Sequence, residues 1–102
     1  MDIYTAKGDK VGYVNDDGAV YKVHGDKVGE VTKNGWTYAG SIPVGYVFSN
    51  GNIQSVRGKK VGEVSRKGTV QSEDGTPIGK VNISGDFLLA TGGAALLLLL
   101  SS

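Results

Sequence analysis

Apolar and polar residues alternate along most of the chain in short runs, and each run ends at a turn that contains glycine. The runs 18–23 and 28–31, for example, flank a polar turn at residues 24–27. A period of two residues is typical of β-strands with one buried and one exposed face. Dipeptides such as Asn34-Gly35 supply the positive φ that two-residue hairpin turns require. The pattern therefore predicts strands joined by tight turns.

A four-residue motif, in which valine or isoleucine is followed by glycine, any residue and valine, occurs five times. The copies begin at Val11, Val28, Val44, Val61 and Ile78. Their glycines are 17, 16, 17 and 17 residues apart, a period that is too short for a pair of helices and fits a β-hairpin. We therefore predict five hairpins over residues 1–85. The ten strands are expected at residues 2–6, 11–15, 19–23, 28–32, 36–40, 44–48, 52–56, 61–65, 69–73 and 78–82.

The C-terminal segment breaks the alternation. Residues 87–100 are 14 residues without a charge, whereas a membrane-spanning helix needs about 20. Its length therefore favours a buried helix over a membrane segment. Asp86 is the expected N-cap, because a short acidic side chain accepts hydrogen bonds from the first free N–H groups of a helix. Gly92-Gly93 costs about 1 kcal/mol per glycine relative to alanine, which predicts a kink there or a later helix start at Ala94.

Ten strands enclose more space than an eight-stranded barrel, which side chains alone can fill. Barrels of 11 strands hold a central helix, and a glycine inside a strand often marks the close approach of another backbone. The motif glycines are Gly12, Gly29, Gly45, Gly62 and Gly79. If they face inward, they leave room for a helix along the barrel axis. The alternative is that these glycines mark bulges and that the tail is a frayed or membrane-bound end.

The predicted fold class is all-β: a five-fold pseudo-symmetric barrel of ten strands, built from β-hairpin repeats, with a hydrophobic C-terminal helix in the centre. Residues 1–102 are expected to form one domain, with the hairpins in residues 1–85 and the apolar tail in residues 86–102. The amino-terminal residues lack an apolar stretch, so we expect no secretory signal.

Five copies of the motif, each followed by a turn glycine, and the glycine-containing apolar tail are features by which the chain resembles the five-fold β-flower proteins. The resemblance covers Asp2 to about Leu100. It implies a shallow ring of hairpins around a C-terminal hydrophobic helix. It also implies a loose geometric similarity to tubby C-terminal domains and their relatives, some of which bind phosphoinositides or act at membranes. No catalytic or lipid-binding motif of those proteins matches this chain, and fold alone does not carry function.

The third unit departs from the repeat. Ser41-Ile42-Pro43 stands where the first two units have Asp9-Lys10 and Asp26-Lys27. We therefore expect a distorted turn in the third hairpin.

Composition excludes several kinds of site. The chain has no cysteine, and its single histidine, His24, cannot form a histidine zinc site alone. The sequence has no glycine-rich nucleotide loop and no nucleophile motif, so we expect no catalytic residue, no cofactor and no metal. Eleven Lys and Arg against ten Asp and Glu give a net charge of +1, which argues against nucleic acid as a partner.

The turns that precede the motifs carry an excess of positive charge. Six cationic residues and three aspartates give this rim a charge of +3. The residues expected to contact lipid headgroups or phosphate are Lys27, Arg57, Lys59 and Lys60. The competing interpretation is a solvated rim that keeps the protein soluble.

Aromatic residues form a second pattern. Tyr4, Tyr21 and Tyr38 occupy equivalent positions of three strands, and Trp36 lies two residues before Tyr38. Such a stripe suits a stacking platform for sugars or bases. It also suits cross-strand pairs that stabilise a sheet, which is the interpretation that we favour.

These features predict a non-enzymatic, monomeric binding or structural module. The leading hypothesis is a peripheral module, cytoplasmic with membrane association, that docks on anionic lipid through the basic rim and the apolar tail. One alternative is a structural or protein-interaction scaffold whose tail is only core. The other is carbohydrate binding through the tyrosine stripe.

Overall fold

The computed structural model describes residues 1–100. Ten antiparallel strands form a closed barrel, in which each strand pairs with its neighbours in sequence and β1 pairs with β10. The strands are β1 (Asp2–Thr5), β2 (Lys10–Val14), β3 (Ala19–Lys22), β4 (Lys27–Val31), β5 (Trp36–Ala39), β6 (Ile42–Val47), β7 (Asn52–Ser55), β8 (Lys60–Val64), β9 (Thr69–Ser72) and β10 (Pro77–Val81). The predicted fold class is confirmed.

Each of the five hairpins, from β1–β2 to β9–β10, contains a shift in strand register. In the first hairpin Ile3 pairs with Gly12 and Tyr4 pairs with Lys10, which leaves Val11 as an extra residue on β2. The other hairpins shift at the same place. The extra residue is always the first residue of the motif, so the motif carries a β-bulge as well as a glycine.

The third hairpin has a shorter tip than the others. Only Gly40 and Ser41 separate β5 from β6, whereas residues 6–9 separate β1 from β2. Ala39 pairs directly with Ile42. The predicted distortion of this turn is therefore a loop of two residues instead of four, and Ile42 becomes the first residue of β6.

The tail forms a continuous helix. Helix α1 (Phe87–Ala94) is followed directly by a π-helix (Ala95–Leu100). The Asp86 carboxylate accepts hydrogen bonds from the backbone N–H groups of Leu88 and Leu89 at 2.8 and 3.4 Å, which confirms the predicted cap. The later helix start that is predicted at Ala94 is wrong, because α1 begins at Phe87 and runs through both glycines, which are buried.

The glycines of the helix lie where valines of the barrel wall approach it. A Cβ atom added to Gly92 would lie 2.5 Å from Cγ1 of Val31. One added to Gly93 would lie 2.7 Å from Cβ of Val14. Real Cβ atoms do not approach other heavy atoms so closely, so these helix positions have no room for a side chain.

The glycines of the strands show the opposite arrangement, because they face bulky residues of the helix. A Cβ atom added to four of the five motif glycines would lie between 2.5 and 2.8 Å from a leucine methyl carbon. The pairs are Gly12 with Leu97, Gly79 with Leu98, Gly62 with Leu99 and Gly45 with Leu100. At all five motif glycines the added Cβ atom would also lie 1.9–2.6 Å from a backbone carbonyl oxygen of the neighbouring strand, and at Gly29 the nearest atoms are all backbone atoms. The inward orientation predicted for these glycines is therefore present together with the bulges that stood as its alternative.

Consecutive leucines of the π-helix face consecutive hairpins. Leu97 to Leu100 meet the first, fifth, fourth and third hairpins, which is the order of these hairpins around the barrel. An α-helix has 3.6 residues per turn and would advance by more than one hairpin per residue. A π-helix bonds residue i to residue i+5 and turns more slowly. The π-helical turn of Ala95–Leu100 therefore fits the spacing of the strand glycines more closely than an α-helical turn would.

The inward faces of the strands complete the core. Its wall consists of Ile3, Val14, Val20, Val31, Val47, Ile53, Val64, Val70 and Val81. Thr37 occupies the place that isoleucine or valine has in the other four hairpins. It is fully buried, and its hydroxyl has no hydrogen-bond partner within residues 1–100.

The substitution Gly93→Ala is expected to destabilise the protein. Alanine gains at most about 1 kcal/mol of helix propensity over glycine, whereas overpacking a tight core costs about 1–3 kcal/mol. Urea unfolding followed by circular dichroism measures the balance. Gly85→Ala is the control, because a Cβ there meets nothing closer than 3.5 Å. An increase in stability for Gly93→Ala would contradict the packing of the helix on Val14.

The substitution Thr37→Val is expected to raise the free energy of unfolding by about 1 kcal/mol, because an unpaired buried hydroxyl costs about 1–3 kcal/mol. Thermal and urea unfolding of the purified variant measure the change. Thr37→Ser keeps the hydroxyl and removes the methyl group, so it is expected to lower stability. Equal stability of the valine variant and the parent would show that the hydroxyl is not isolated.

Candidate functional site

The two ends of the barrel differ in what they present to solvent. The turns between hairpins lie where the helix begins, with Phe87 near Gly51 and Leu89 near Gly18. The hairpin tips lie at the other end, where the helix finishes. We call this end the tip rim, which consists of residues 6–10, 22–27, 39–43, 56–60 and 73–77.

The centre of the tip rim is apolar. Leu96 is buried, whereas Leu97–Leu100 are only half buried. These leucines face glycines that pair with the last strand residues before the tips, for example Gly62 with Ser72. The first residues of the five motifs are also half buried at this end: Val11, Val28, Val44, Val61 and Ile78. Apolar surface therefore reaches solvent at the end of the helix.

Three large apolar side chains extend this surface onto the tips. Val23 is 45% exposed, Ile42 is 66% exposed and Val56 is 55% exposed. They belong to the second, third and fourth hairpins, which are neighbours in the barrel. Exposed apolar residues that cluster on adjacent elements are typical of an interaction surface.

Positive charge lies on the tips of the second and fourth hairpins, whereas the tip of the third carries no charged residue. Residues 22–27, 39–43 and 56–60 hold five Lys or Arg and one carboxylate, a net charge of +4. Residues 6–10 and 73–77 hold two lysines and three carboxylates, a net charge of −1. We call the tips of the second, third and fourth hairpins the basic sector.

All four predicted lipid contacts lie in the basic sector, and all are exposed. They are Lys27, Arg57, Lys59 and Lys60. The Nζ atom of Lys60 lies 3.7 Å from a carboxylate oxygen of Glu63, which neutralises part of its charge. Within residues 1–100, no carboxylate forms an ion pair with the other three.

Hydrogen bonds at the tip of the fifth hairpin keep the Asp74 carboxyl group ionised. The Ser72 hydroxyl, followed by the side chain and backbone of Thr76, lowers the pKa of Asp74 from 3.8 to about 2. A carboxyl group with a depressed pKa stabilises the folded state above its unfolded pKa, and this contribution is lost as the pH falls through about 2. At neutral pH Asp74 is therefore charged and opposes an anionic surface at the fifth tip.

The aromatic residues of the outer wall pair across strands. Tyr13 stacks on Tyr21 with ring centroids 5.2 Å apart. Trp36 meets Tyr46 edge to face at 5.1 Å. The predicted stripe of Tyr4, Tyr21 and Tyr38 is interrupted by intervening strands, and Tyr38 pairs with Glu30. Cross-strand pairing, the favoured interpretation, is present at Tyr21 and Trp36, but the sequence did not identify Tyr13 and Tyr46 as the partners, which follow from the register of the strands.

Four grooves on the outer wall lie at seams between neighbouring hairpins. They measure about 420 Å³ between the fifth and first hairpins, 520 Å³ between the fourth and fifth, 390 Å³ between the third and fourth, and 250 Å³ between the second and third. Their lining residues differ because the repeats differ at exposed positions. The barrel therefore presents similar grooves with different chemistry around its wall.

Two further findings concern the chain as far as Leu100. No group of three or more His, Cys, Asp and Glu side chains in this part could hold a metal ion. None of its helices has the length and apolar character needed to cross a membrane. His24 lies exposed in the tip of the second hairpin.

Comparisons with models of known families, with curated proteins and with solved structures find no match to this chain. The resemblance to β-flower proteins therefore stays a prediction from the repeat. Function has to be inferred from the surfaces described above.

Proposed function

We propose that this protein is a non-enzymatic module that docks reversibly on anionic membrane surfaces through the basic sector. The observation that supports the proposal most is that exposed apolar side chains on three neighbouring tips lie beside positive charge on two of them, the second and the fourth. Ile42 and Val56 provide the exposed apolar surface, and Arg57 and Lys59 provide the unpaired positive charge. The first tip has a net charge of +1 and the fifth a net charge of −2, and neither presents a large exposed apolar side chain.

The two properties contribute to membrane binding in different ways. A lysine or arginine near an anionic bilayer contributes about 1 kcal/mol, and salt screens this attraction. A valine or isoleucine that leaves water contributes about 1.5–3 kcal/mol if it is fully buried. The half-buried Leu97–Leu100 add apolar surface at the centre of the rim. Their sum supports reversible binding to the headgroup region.

The tail contributes to docking without leaving the barrel. Residues 89–96 are buried, and α1 packs against the valines of the wall. This arrangement supports one part of the scaffold alternative, namely that most of the tail is core. Of the described helix residues, Phe87 and Leu88 at the start and Leu97–Leu100 at the end are half buried, and only the last four lie at the tip rim.

The double variant Arg57→Glu, Lys59→Glu is expected to weaken binding to anionic vesicles at least tenfold. It reverses two charges of the basic sector, each of which contributes about 1 kcal/mol, and tenfold corresponds to about 1.4 kcal/mol. The measurement is flotation with vesicles of phosphatidylserine and phosphatidylcholine, and with phosphatidylcholine alone, at low and physiological salt. The parent protein is expected to float with the anionic vesicles only, and less at higher salt.

The matched control is Lys33→Glu, Lys67→Glu, which makes the same charge change at the opposite end of the barrel. It is expected to retain most of the binding. A second pair, Ile42→Ser with Val56→Ser, tests the apolar component and should also weaken flotation, whereas Phe48→Ser at the opposite end should not. Equal losses for the two charge variants would indicate attraction by net charge alone. Failure of the parent to float would refute the proposal and favour a protein partner for the same surface.

A further inference from the structure

The seam between the third and fourth hairpins differs in chemistry from the other grooves of the wall. Its groove of about 390 Å³ is lined by Trp36, Tyr46, Gln54, Ser55, Val56 and Gly58. None of these residues is charged. Each of the other three grooves has at least one charged residue in its lining, for example Lys80, Lys59 or Glu30.

The groove has an ordered floor. Trp36 pairs with Tyr46 across β5 and β6, and Tyr46 pairs with Gln54 across β6 and β7. The three side chains therefore form a row on the outer face of adjacent strands. Because neighbouring strands lie about 4.8 Å apart, the row spans about 10 Å, which is about the length of a disaccharide.

The aromatic rings of the row support one another. Trp36 meets Tyr46 at an interplanar angle of 69°, and Tyr46 meets Phe48 at 83° with the centroids 4.9 Å apart. Edge-to-face contacts of this kind hold rings in place. Trp36 nevertheless remains 38% exposed, so that part of its indole ring is open to a ligand.

One polar side chain with free hydrogen-bonding capacity, that of Gln54, lies on the outer face beside the rings, and Ser55 lines the groove at the adjoining strand end. Within residues 1–100, the side chains of Gln54 and Ser55 make no hydrogen bond to the protein. The Gln54 amide offers two donors and one acceptor, and the Ser55 hydroxyl offers one donor and two lone pairs. Aromatic surface with a few polar groups is typical of small-molecule sites.

We propose that this seam binds a neutral saccharide of one or two rings. The apolar C–H face of a sugar ring packs on the indole of Trp36, while its hydroxyl groups bond to Gln54 and Ser55. The uncharged lining favours this ligand over two others that also stack on aromatic rings. A nucleotide needs cations for its phosphate; Arg57 and Lys59 are adjacent in sequence to a lining residue but lie outside the lining itself, so a nucleotide is the competing ligand that the test includes. An organic cation is bound best where a carboxylate adds to the aromatic face.

The test uses the intrinsic fluorescence of Trp36, which is the single tryptophan of the chain. The full-length protein is titrated with maltose, cellobiose, lactose and N,N′-diacetylchitobiose, and with adenosine monophosphate for comparison. The proposal expects a saturable change in fluorescence with at least one disaccharide, and none with the nucleotide. No saturable change with any disaccharide, or tighter binding of the nucleotide, would overturn it.

The variant Gln54→Ala is expected to weaken the disaccharide response at least fivefold. Its matched control is Gln71→Ala, the same change at the equivalent position one hairpin further along, which should bind as the parent does. Equal responses of the two variants would overturn the assignment of the site. Val56 belongs to both surfaces, but the titration contains no vesicles, so its outcome does not depend on membrane docking.

Discussion

The reciprocal fit of glycines and bulky side chains between the helix and the barrel wall is the constraint on which the rest of the structure depends. Where the wall presents Val14 and Val31, the helix has Gly93 and Gly92. Where the helix presents leucines, the strands have glycines. The helix and the wall are complementary in shape, because a carbon atom added to a glycine of either one would clash with the other. The helix therefore forms the centre of the hydrophobic core around which the barrel closes.

This fit links the core to the surface. The π-helical turn places one leucine against each of four successive hairpins, and it ends where the hairpin tips begin. The last leucines are therefore half exposed at the tip rim, beside the basic sector. On the outer wall no such constraint operates, so exposed positions vary between hairpins. That variation gives each seam its own chemistry.

The sequence predicted the strands, the closed barrel, the central helix and its cap at Asp86, because the repeat places turns and inward positions at a fixed period. The later helix start at Ala94 was wrong, because helix propensity considers the helix alone, whereas the valines of the wall determine which side chains fit at Gly92 and Gly93. The basic sector could not be predicted as a unit, because it depends on which hairpins are neighbours. The row of Trp36, Tyr46 and Gln54 depends on cross-strand register, which the bulges shift in a way that the repeat does not specify.

A double-mutant cycle between helix and wall tests the reciprocal fit most directly. Gly92→Ala adds a carbon atom where Val31 stands, and Val31→Ala removes the two methyl groups that it would meet. The free energies of unfolding of the parent, the two single variants and the double variant are measured by urea denaturation. If the helix packs on Val31 as described, the double variant is more stable than the sum of the single effects by about 0.5–3 kcal/mol, as residues in contact show. Additive effects would mean that Gly92 and Val31 do not touch, and would contradict the central position of the helix.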